Sequence, residues 1–145
     1  MVAACTRLEK ILNEVPSKLL QLTEEKTSIK PALDKWSKKE ILGHLIDSAA
    51  NNHQRFVRMQ IENNLQLLQY KQDEWVAIQK YQTINWINLV KFWLIYNMHI
   101  LHILKHVDET KLQNVASIEN KKLTLQFIID DYVDYMEHHL KEIFR

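Results

Sequence analysis

Two adjacent histidines lie in the sequence DYVDYMEHHLKEI, which spans residues 131–143. Imidazole binds metal ions, and it gains or loses a proton near neutral pH. In a helix each residue turns the side chain by about 100°, so His138 and His139 face different directions. His139 falls in the same arc as the apolar Met136, whereas His138 falls toward the polar side. We therefore expect His139 to point inward, with Tyr135 one turn before it at the border of the same arc.

A second inward histidine is predicted at His44, in the sequence GHLIDS. It borders the apolar stripe of its predicted helix, so His44 and His139 can meet at one edge of the interior. Arg55 lies on the same side as a candidate anchor for an anionic substrate, although an ion-pairing surface arginine is the simpler alternative. Asp47 is turned about 60° from His44, and we expect a surface carboxylate there rather than a catalytic base.

Three further histidines, His99, His102 and His106, form a row on another predicted helix. His102 and His106 have the i, i+4 spacing of metal-binding pairs. The row falls almost opposite Trp93 and Asn97, which belong to the apolar face, so it is predicted to be a solvated or dimer-facing stripe. A surface metal site is the alternative.

Composition excludes several classes of function. The 145 residues carry a formal net charge of +1 and no basic block, so no nucleic acid partner is predicted. The single cysteine, Cys5, cannot form an internal disulfide, and no signal peptide is expected, which favours the cytoplasm. The apolar run over residues 89–104 is broken by lysine, asparagine and histidine, so no membrane span is predicted.

The elements that must position these residues are predicted to be helices. One glycine and two prolines in the whole chain leave little material for turns and favour a few long helices in one domain over residues 1–145. Ser37 and Glu40 form a capping-box pattern at a helix start. Apolar periodicity predicts helices over residues 4–26 (interrupted by Pro16), 37–64, 85–107 and 124–143.

Long connections join the second helix to the third and the third to the fourth. The first, LQLLQYKQDEWVAIQKYQT, is ambiguous and is interpreted as partly ordered; in the second, NVASIENKKL is predicted to form a short extended excursion. Four amphipathic helices of this length predict an all-α four-helix bundle.

Three stretches resemble one known group of proteins. Residues 35–56 (KWSKKEILGHLIDSAANNHQRF), residues 72–104 and residues 131–143 resemble, in order and spacing, the DinB-like superfamily that includes the YfiT-like metal-dependent hydrolases. The resemblance implies a four-helix bundle, often dimeric, that binds a divalent ion through three histidines. Carried over to this chain, two of those positions are His44 and His139.

The third position is Tyr135, four residues before His139, where the resemblance implies a histidine. A neutral phenol is a poor ligand, because its usual pKa of about 10 must be overcome before it binds as phenolate. Three alternatives follow: Tyr135 binds as phenolate, another acid such as Asp73 or Asp131 completes the site, or the metal has been lost.

The resemblance therefore implies one of two functions. The first is a metal-dependent hydrolase or thiol S-transferase acting on a small molecule, with zinc, nickel or manganese held by His44, His139 and Tyr135. The second is a non-catalytic bundle with a degenerate metal site that binds a small molecule or serves as a dimeric scaffold. Both imply a homodimer, and neither names the substrate or the catalytic residues.

Overall fold

A computed structural model describes residues 2–145 of the chain as helices with a small sheet. The helices are α1 (Val2–Leu20), α2 (Glu24–Ser28), α3 (Lys38–Ile61), α4 (Gln72–Gln79), α5 (Trp86–Lys105) and α6 (Leu125–Ile143). The strands are β1 (Leu65–Leu67), β2 (Val115–Ile118) and β3 (Lys121–Thr124), and short 3-10 turns cover Tyr81–Thr83 and Glu109–Lys111.

The four long helices α1, α3, α5 and α6 form the predicted bundle. Helix α3 packs against both α5 and α6, and α1 completes the bundle by packing against the same two helices. Large side chains fill the space between them, because Trp86, Trp93 and Phe56 are all at most 1% exposed. Each of these lies on the apolar face predicted from helical periodicity, so the pattern that builds the core also fixes which side of each helix is left for a site.

Capping hydrogen bonds fix the residues at which α3 and α6 begin. The Ser37 hydroxyl accepts a bond from the Glu40 amide, and the Glu40 carboxylate accepts one from the Ser37 amide, which is the predicted capping box. Thr124 caps α6 by accepting a bond from the Phe127 amide. Because these caps set where each helix begins, they also set the rotation at which its functional residues face inward.

The first predicted helix is divided in two, and its predicted end near residue 26 is wrong. Helix α1 continues through Pro16 and ends at Leu20, and α2 starts afresh after Thr23, whose hydroxyl accepts a bond from the Lys26 amide. The new start lets Glu24 pair with the buried Lys39 of α3 and accept a bond of 2.8 Å from the Trp86 amide. Glu24 thereby ties α2 to two helices of the bundle.

The two long connections are ordered and are joined to each other. Strand β1 pairs in parallel with β2, and β2 pairs antiparallel with β3. The extended excursion predicted for residues 114–123 is thus confirmed as a hairpin. The first connection is more structured than predicted, since residues 65–83 contain β1, α4 and a 3-10 turn. Helix α4 packs on α3, and Gln79 at its end donates to Asp47 of α3, about one turn after His44.

Helix α5 is long and apolar enough by composition to cross a membrane, with a mean hydropathy of 1.3. About a third of it is buried inside the bundle, where Trp86, Trp93, Asn97 and Ile100 are at most 1% exposed. A helix with one face buried in a protein core has the same composition as a membrane span, so its hydropathy is accounted for by the bundle.

Candidate functional site

Three side chains from two helices converge between α3 and α6. His44 of α3 faces Tyr135 and His139, which lie one turn apart on α6. The ring centroids of His44 and His139 are 5.0 Å apart, those of Tyr135 and His139 4.5 Å, and those of His44 and Tyr135 5.5 Å. The i, i+4 spacing of α6 brings Tyr135 and His139 together, whereas His44 comes from a second helix, α3.

His44 is enclosed by aromatic rings and is 0% exposed. Trp36, just before the α3 capping box, lies over it with a ring-centroid distance of 4.7 Å. Burial lowers the pKa of His44 to about 4, and the nearby His139 acts in the same direction. The ring is therefore neutral at physiological pH. Its Nδ1 atom is buried and has no hydrogen-bond partner among residues 2–145.

His139 is oriented by a carboxylate on its own helix. Its Nδ1 atom donates to Glu142 Oε2 over 3.1 Å, so the lone pair of the neutral ring resides on Nε2. Glutamate behind a histidine is the arrangement that fixes the tautomer of metal-binding histidines. The side chain of His139 is 12% exposed and that of His138 is 64% exposed, which is the inward and outward placement expected from the helical period.

Tyr135 connects the two histidines to α4. Its hydroxyl shares a 2.5 Å hydrogen bond with His44 Nε2 and lies 3.3 Å from Gln72 Oε1, to which it can donate. Burial raises the pKa of Tyr135, and the hydrogen bond with Gln72 only partly opposes this. The hydroxyl is therefore protonated near neutral pH unless a positive charge lies beside it.

Asp47 is not the surface carboxylate that its helical angle predicts. It is 2% exposed and accepts hydrogen bonds from the Tyr81 hydroxyl (2.6 Å) and from Gln79 Nε2 (2.8 Å). Burial raises its pKa, whereas these two bonds lower it. Gly43, the one glycine of the chain, lies under the Tyr81 ring so closely that a Cβ atom there would overlap the ring. Asp47 and Gly43 together fasten the segment that follows α4 onto α3.

Two openings flank the triangle of rings. A cleft of about 760 Å³ is lined by residues including Trp36, Asp73 and Glu142, and therefore reaches the shell around His44 and His139. A smaller pocket of about 250 Å³ is lined by residues including Tyr135 and Gln72 on the other side. Helix α4 contributes the boundary between them through its first two residues. The larger cleft thus adjoins the residues around the two histidines, and the smaller pocket is lined by Tyr135 itself.

The other sequence candidates lie outside the triangle. Asp73 is exposed at the start of α4 and lines the larger cleft; Asp131 is exposed and lines the smaller pocket with Arg55. The row of His99, His102 and His106 is exposed on α5, as predicted.

The donor atoms at the triangle can be compared with the needs of a divalent ion. Within residues 2–145, no three histidine, cysteine, aspartate or glutamate side chains form a metal-binding group, and the third side-chain donor of the triangle is the Tyr135 oxygen. Catalytic zinc sites ordinarily use three protein ligands. Two imidazoles, one of them oriented by a carboxylate, and one phenol meet that number, and a nearby cation favours the phenolate. The set therefore fits a divalent ion if the phenol loses its proton.

Comparison with known proteins shows the fold. The sequence has no significant match to a protein-family model or to a curated protein sequence. Among solved structures, YfiT from Bacillus subtilis, described as a probable metal-dependent hydrolase with an unusual four-helix bundle topology, aligns with a TM-score of 0.81 at 19% identity, over 96% of this chain and 83% of that one. A DinB-like protein from Bacillus subtilis, YjoA, aligns with a TM-score of 0.66 at 16% identity, over 98% of this chain and 87% of that one. The chain has the DinB/YfiT-like fold.

Proposed function

From this fold and the three donors between α3 and α6, we propose that the protein is a metal-dependent enzyme of the hydrolase type, with His44, Tyr135 and His139 as ligands. The observation that carries the proposal is the convergence of these three side chains, with Glu142 bound to the other nitrogen of His139. The description of YfiT as a probable metal-dependent hydrolase supports the class of reaction.

The residues of the chain are suited to complementary tasks in such a site. His44 is neutral down to about pH 4, so its ring nitrogen stays available for bonding in the physiological range. Glu142 holds the His139 ring in one tautomer, and Trp36 keeps bulk water away from His44. A bound divalent ion such as zinc, nickel or manganese supplies Lewis-acid chemistry, polarising a substrate and making water or a thiol acidic near neutral pH. Hydrolysis and thiol S-transfer both draw on that chemistry.

Metal analysis of protein purified without a histidine tag tests the proposal. We expect about one equivalent of zinc, nickel or manganese in the wild type, and a loss of at least about 100-fold in affinity in the double variant His44→Ala, His139→Ala. The matched control is His102→Ala, His106→Ala, which removes an exposed i, i+4 pair of histidines at the end of α5 and should retain the ion. Equal metal binding by the wild type and the His44, His139 double variant would refute the proposal.

A non-catalytic bundle is the second candidate, and one observation favours it. His44 Nε2 and the Tyr135 hydroxyl form a hydrogen bond of 2.5 Å with each other. Two polar groups that no longer bind a metal ion would be expected to pair in this way. In that case the cleft beside Trp36 would bind a small molecule without turnover. This candidate predicts that the wild type binds no divalent ion in the analysis above.

We also propose a homodimer formed through the outer face of α5. Four apolar side chains on this helix are substantially exposed: Ile87 at 47%, Phe92 at 52%, Ile95 at 65% and Met98 at 56%. Their spacing places them along one side of the helix, next to His99 and His102. A second copy of the chain can cover an apolar stripe of this kind by placing its own α5 against it.

A further inference from the structure

The smaller pocket beside Tyr135 contains a charge that the proposed metal site does not use. The pocket, about 250 Å³ in volume, lies between α3, α6 and the segment before α4. Its wall includes Ser48, Arg55, Tyr70, Asp131 and Tyr135. Because Tyr135 belongs both to this wall and to the triangle with His44, a group held in the pocket lies next to the candidate reaction centre.

Arg55 is one of two cations that line this pocket, the other being Lys121, and most of the donors described for Arg55 have no partner among residues 2–145. The guanidinium is partly buried, and the one hydrogen bond described for it is a long one of 3.4 Å to Asn52 Oδ1. No carboxylate among residues 2–145 forms an ion pair with it. An arginine has five N–H donors in a fixed plane, and leaving them unpaired in a partly buried place costs stability.

The charges around Arg55 favour a singly charged, planar anion. Burial lowers the pKa of the Arg55 guanidinium, while Tyr70 and Asp131 act in the opposite direction, and the group stays charged. Asp131 is close enough to interact with Arg55 electrostatically, and Glu119 also lines the pocket, so a dianion such as phosphate would meet two carboxylates beside the cations Arg55 and Lys121. A carboxylate carries a single charge and matches the fork of a guanidinium with two parallel hydrogen bonds.

The remaining polar groups of the pocket suit the same ligand. Burial raises the pKa of Tyr70 to about 12, so its hydroxyl is protonated, and it interacts with Ser48 by a hydrogen bond. Ser48, Tyr70 and Asn52 supply neutral groups, and Phe127 and Ile128 supply apolar surface for a short carbon chain. The volume admits a group of a few heavy atoms.

We propose that this pocket binds the carboxylate of a small organic acid, with Arg55 as its charged anchor, and holds the rest of the molecule against Tyr135. The pocket thereby defines the substrate class as carboxylic acids with a short chain between the acid group and the reacting bond. That last step rests on the proposed function, whereas carboxylate binding itself does not.

An NMR titration of the full chain with butyrate tests the proposal. Butyrate should shift the amide signals of residues 48–55, 69–72 and 131–135, in zinc-free protein and in protein supplied with zinc. Arg55→Met should weaken butyrate binding by at least about tenfold, Arg55→Lys should weaken it less, and Asp131→Asn should strengthen it. Arg58→Met, which removes an exposed arginine one turn away, is the matched control and should change the affinity less than twofold.

Several results would overturn the inference. Butyrate could bind Arg55→Met as well as the wild type, its shifts could map to the lysine-containing cleft beside Trp36, or phosphate or butylamine could bind in the Arg55 pocket more tightly than butyrate. The proposed function is judged separately. A wild type that binds butyrate at Arg55 but binds no zinc would refute the metal site alone. A wild type that binds zinc but does not bind butyrate at Arg55 would refute the carboxylate pocket alone.

Discussion

Histidines gather in two regions of this molecule, and only one of them has the burial and the orienting carboxylate that suit the proposed metal site. The outer row has His99 and His102 exposed on α5 and His106 exposed at its C-cap, where His106 Nδ1 is bonded to the carbonyl of His102. The inner group combines His44 and His139 from two helices and excludes solvent from His44 completely. Both regions have metal-capable spacing, so spacing alone does not distinguish them. Convergence from separate helices does not distinguish them either, because the ring of His53 on α3 lies 5.2 Å from that of His99. The complete burial of His44 and the carboxylate that orients His139 do.

The largest expected effect comes from restoring a third imidazole to the inner group. Tyr135→His should raise zinc affinity at pH 7 by roughly 100-fold, because the phenol must first lose a proton whose pKa is raised by burial above its usual value of about 10. Isothermal titration calorimetry in several buffers measures the affinity and the number of protons released.

The proton count separates the two candidate functions. If Tyr135 is a ligand, the wild type should release one more proton per zinc ion than Tyr135→Phe and should bind more tightly. Equal affinity and equal proton release in the wild type and Tyr135→Phe would exclude Tyr135 as a ligand and favour the non-catalytic bundle.

A smaller effect should separate the two regions in metal-free protein as the pH falls. An unfolded histidine titrates near 6.5, whereas the pKa of His44 in the folded protein is about 4, so the unfolded chain binds the proton first. His44 therefore leaves the free energy of unfolding unchanged above pH 6.5. Between pH 6.5 and 4 it lowers the free energy of unfolding, by about 3 kcal/mol at most.

Urea unfolding across this pH range measures that loss. His44→Gln removes the titrating group and should flatten the decline, whereas His102→Gln, at an exposed position on α5, should keep the wild-type profile. An unchanged decline in His44→Gln would show that other groups cause it.

The smallest expected effect on the triangle of His44, Tyr135 and His139 comes from a substitution on the outer face of α5. Phe92→Lys places a charge in the apolar stripe of α5 and should convert a dimer to a monomer in multi-angle light scattering without altering zinc binding. Leu33→Lys, at a loop position that is 99% exposed, is the matched control and should stay dimeric. A wild-type chain that is monomeric at tens of micromolar would contradict the proposed interface.

Much of this architecture could be predicted because it depends on neighbours in the sequence. The start of α3 follows from the capping box of Ser37 and Glu40, and the inward direction of His139 follows from the period of an amphipathic helix. Helix α4 could not be predicted in the same way, because Val76 is its one buried residue and its apolar pattern is correspondingly weak.

The error at Asp47 has the same origin. Its angle on α3 is as expected, but helical geometry does not show what lies above that face. The Tyr81 ring comes from a segment whose position depends on packing between distant parts of the chain. The pairing of β1 with β2, which joins Leu65 to Ala116, is likewise a contact that no local pattern indicates.

The close approach of Gly43 and Tyr81 limits how the site can move. Gly43 and His44 are neighbours in the chain, so the Tyr81 ring packs on the α3 backbone directly beside His44. Asp47, one turn further on, holds the hydroxyl of the same ring. The segment after α4 therefore cannot swing outward as a hinged lid unless this hydrogen bond breaks. Under the proposed function, we therefore expect a substrate to enter through side-chain movements at the cleft and at the pocket rather than through movement of this segment.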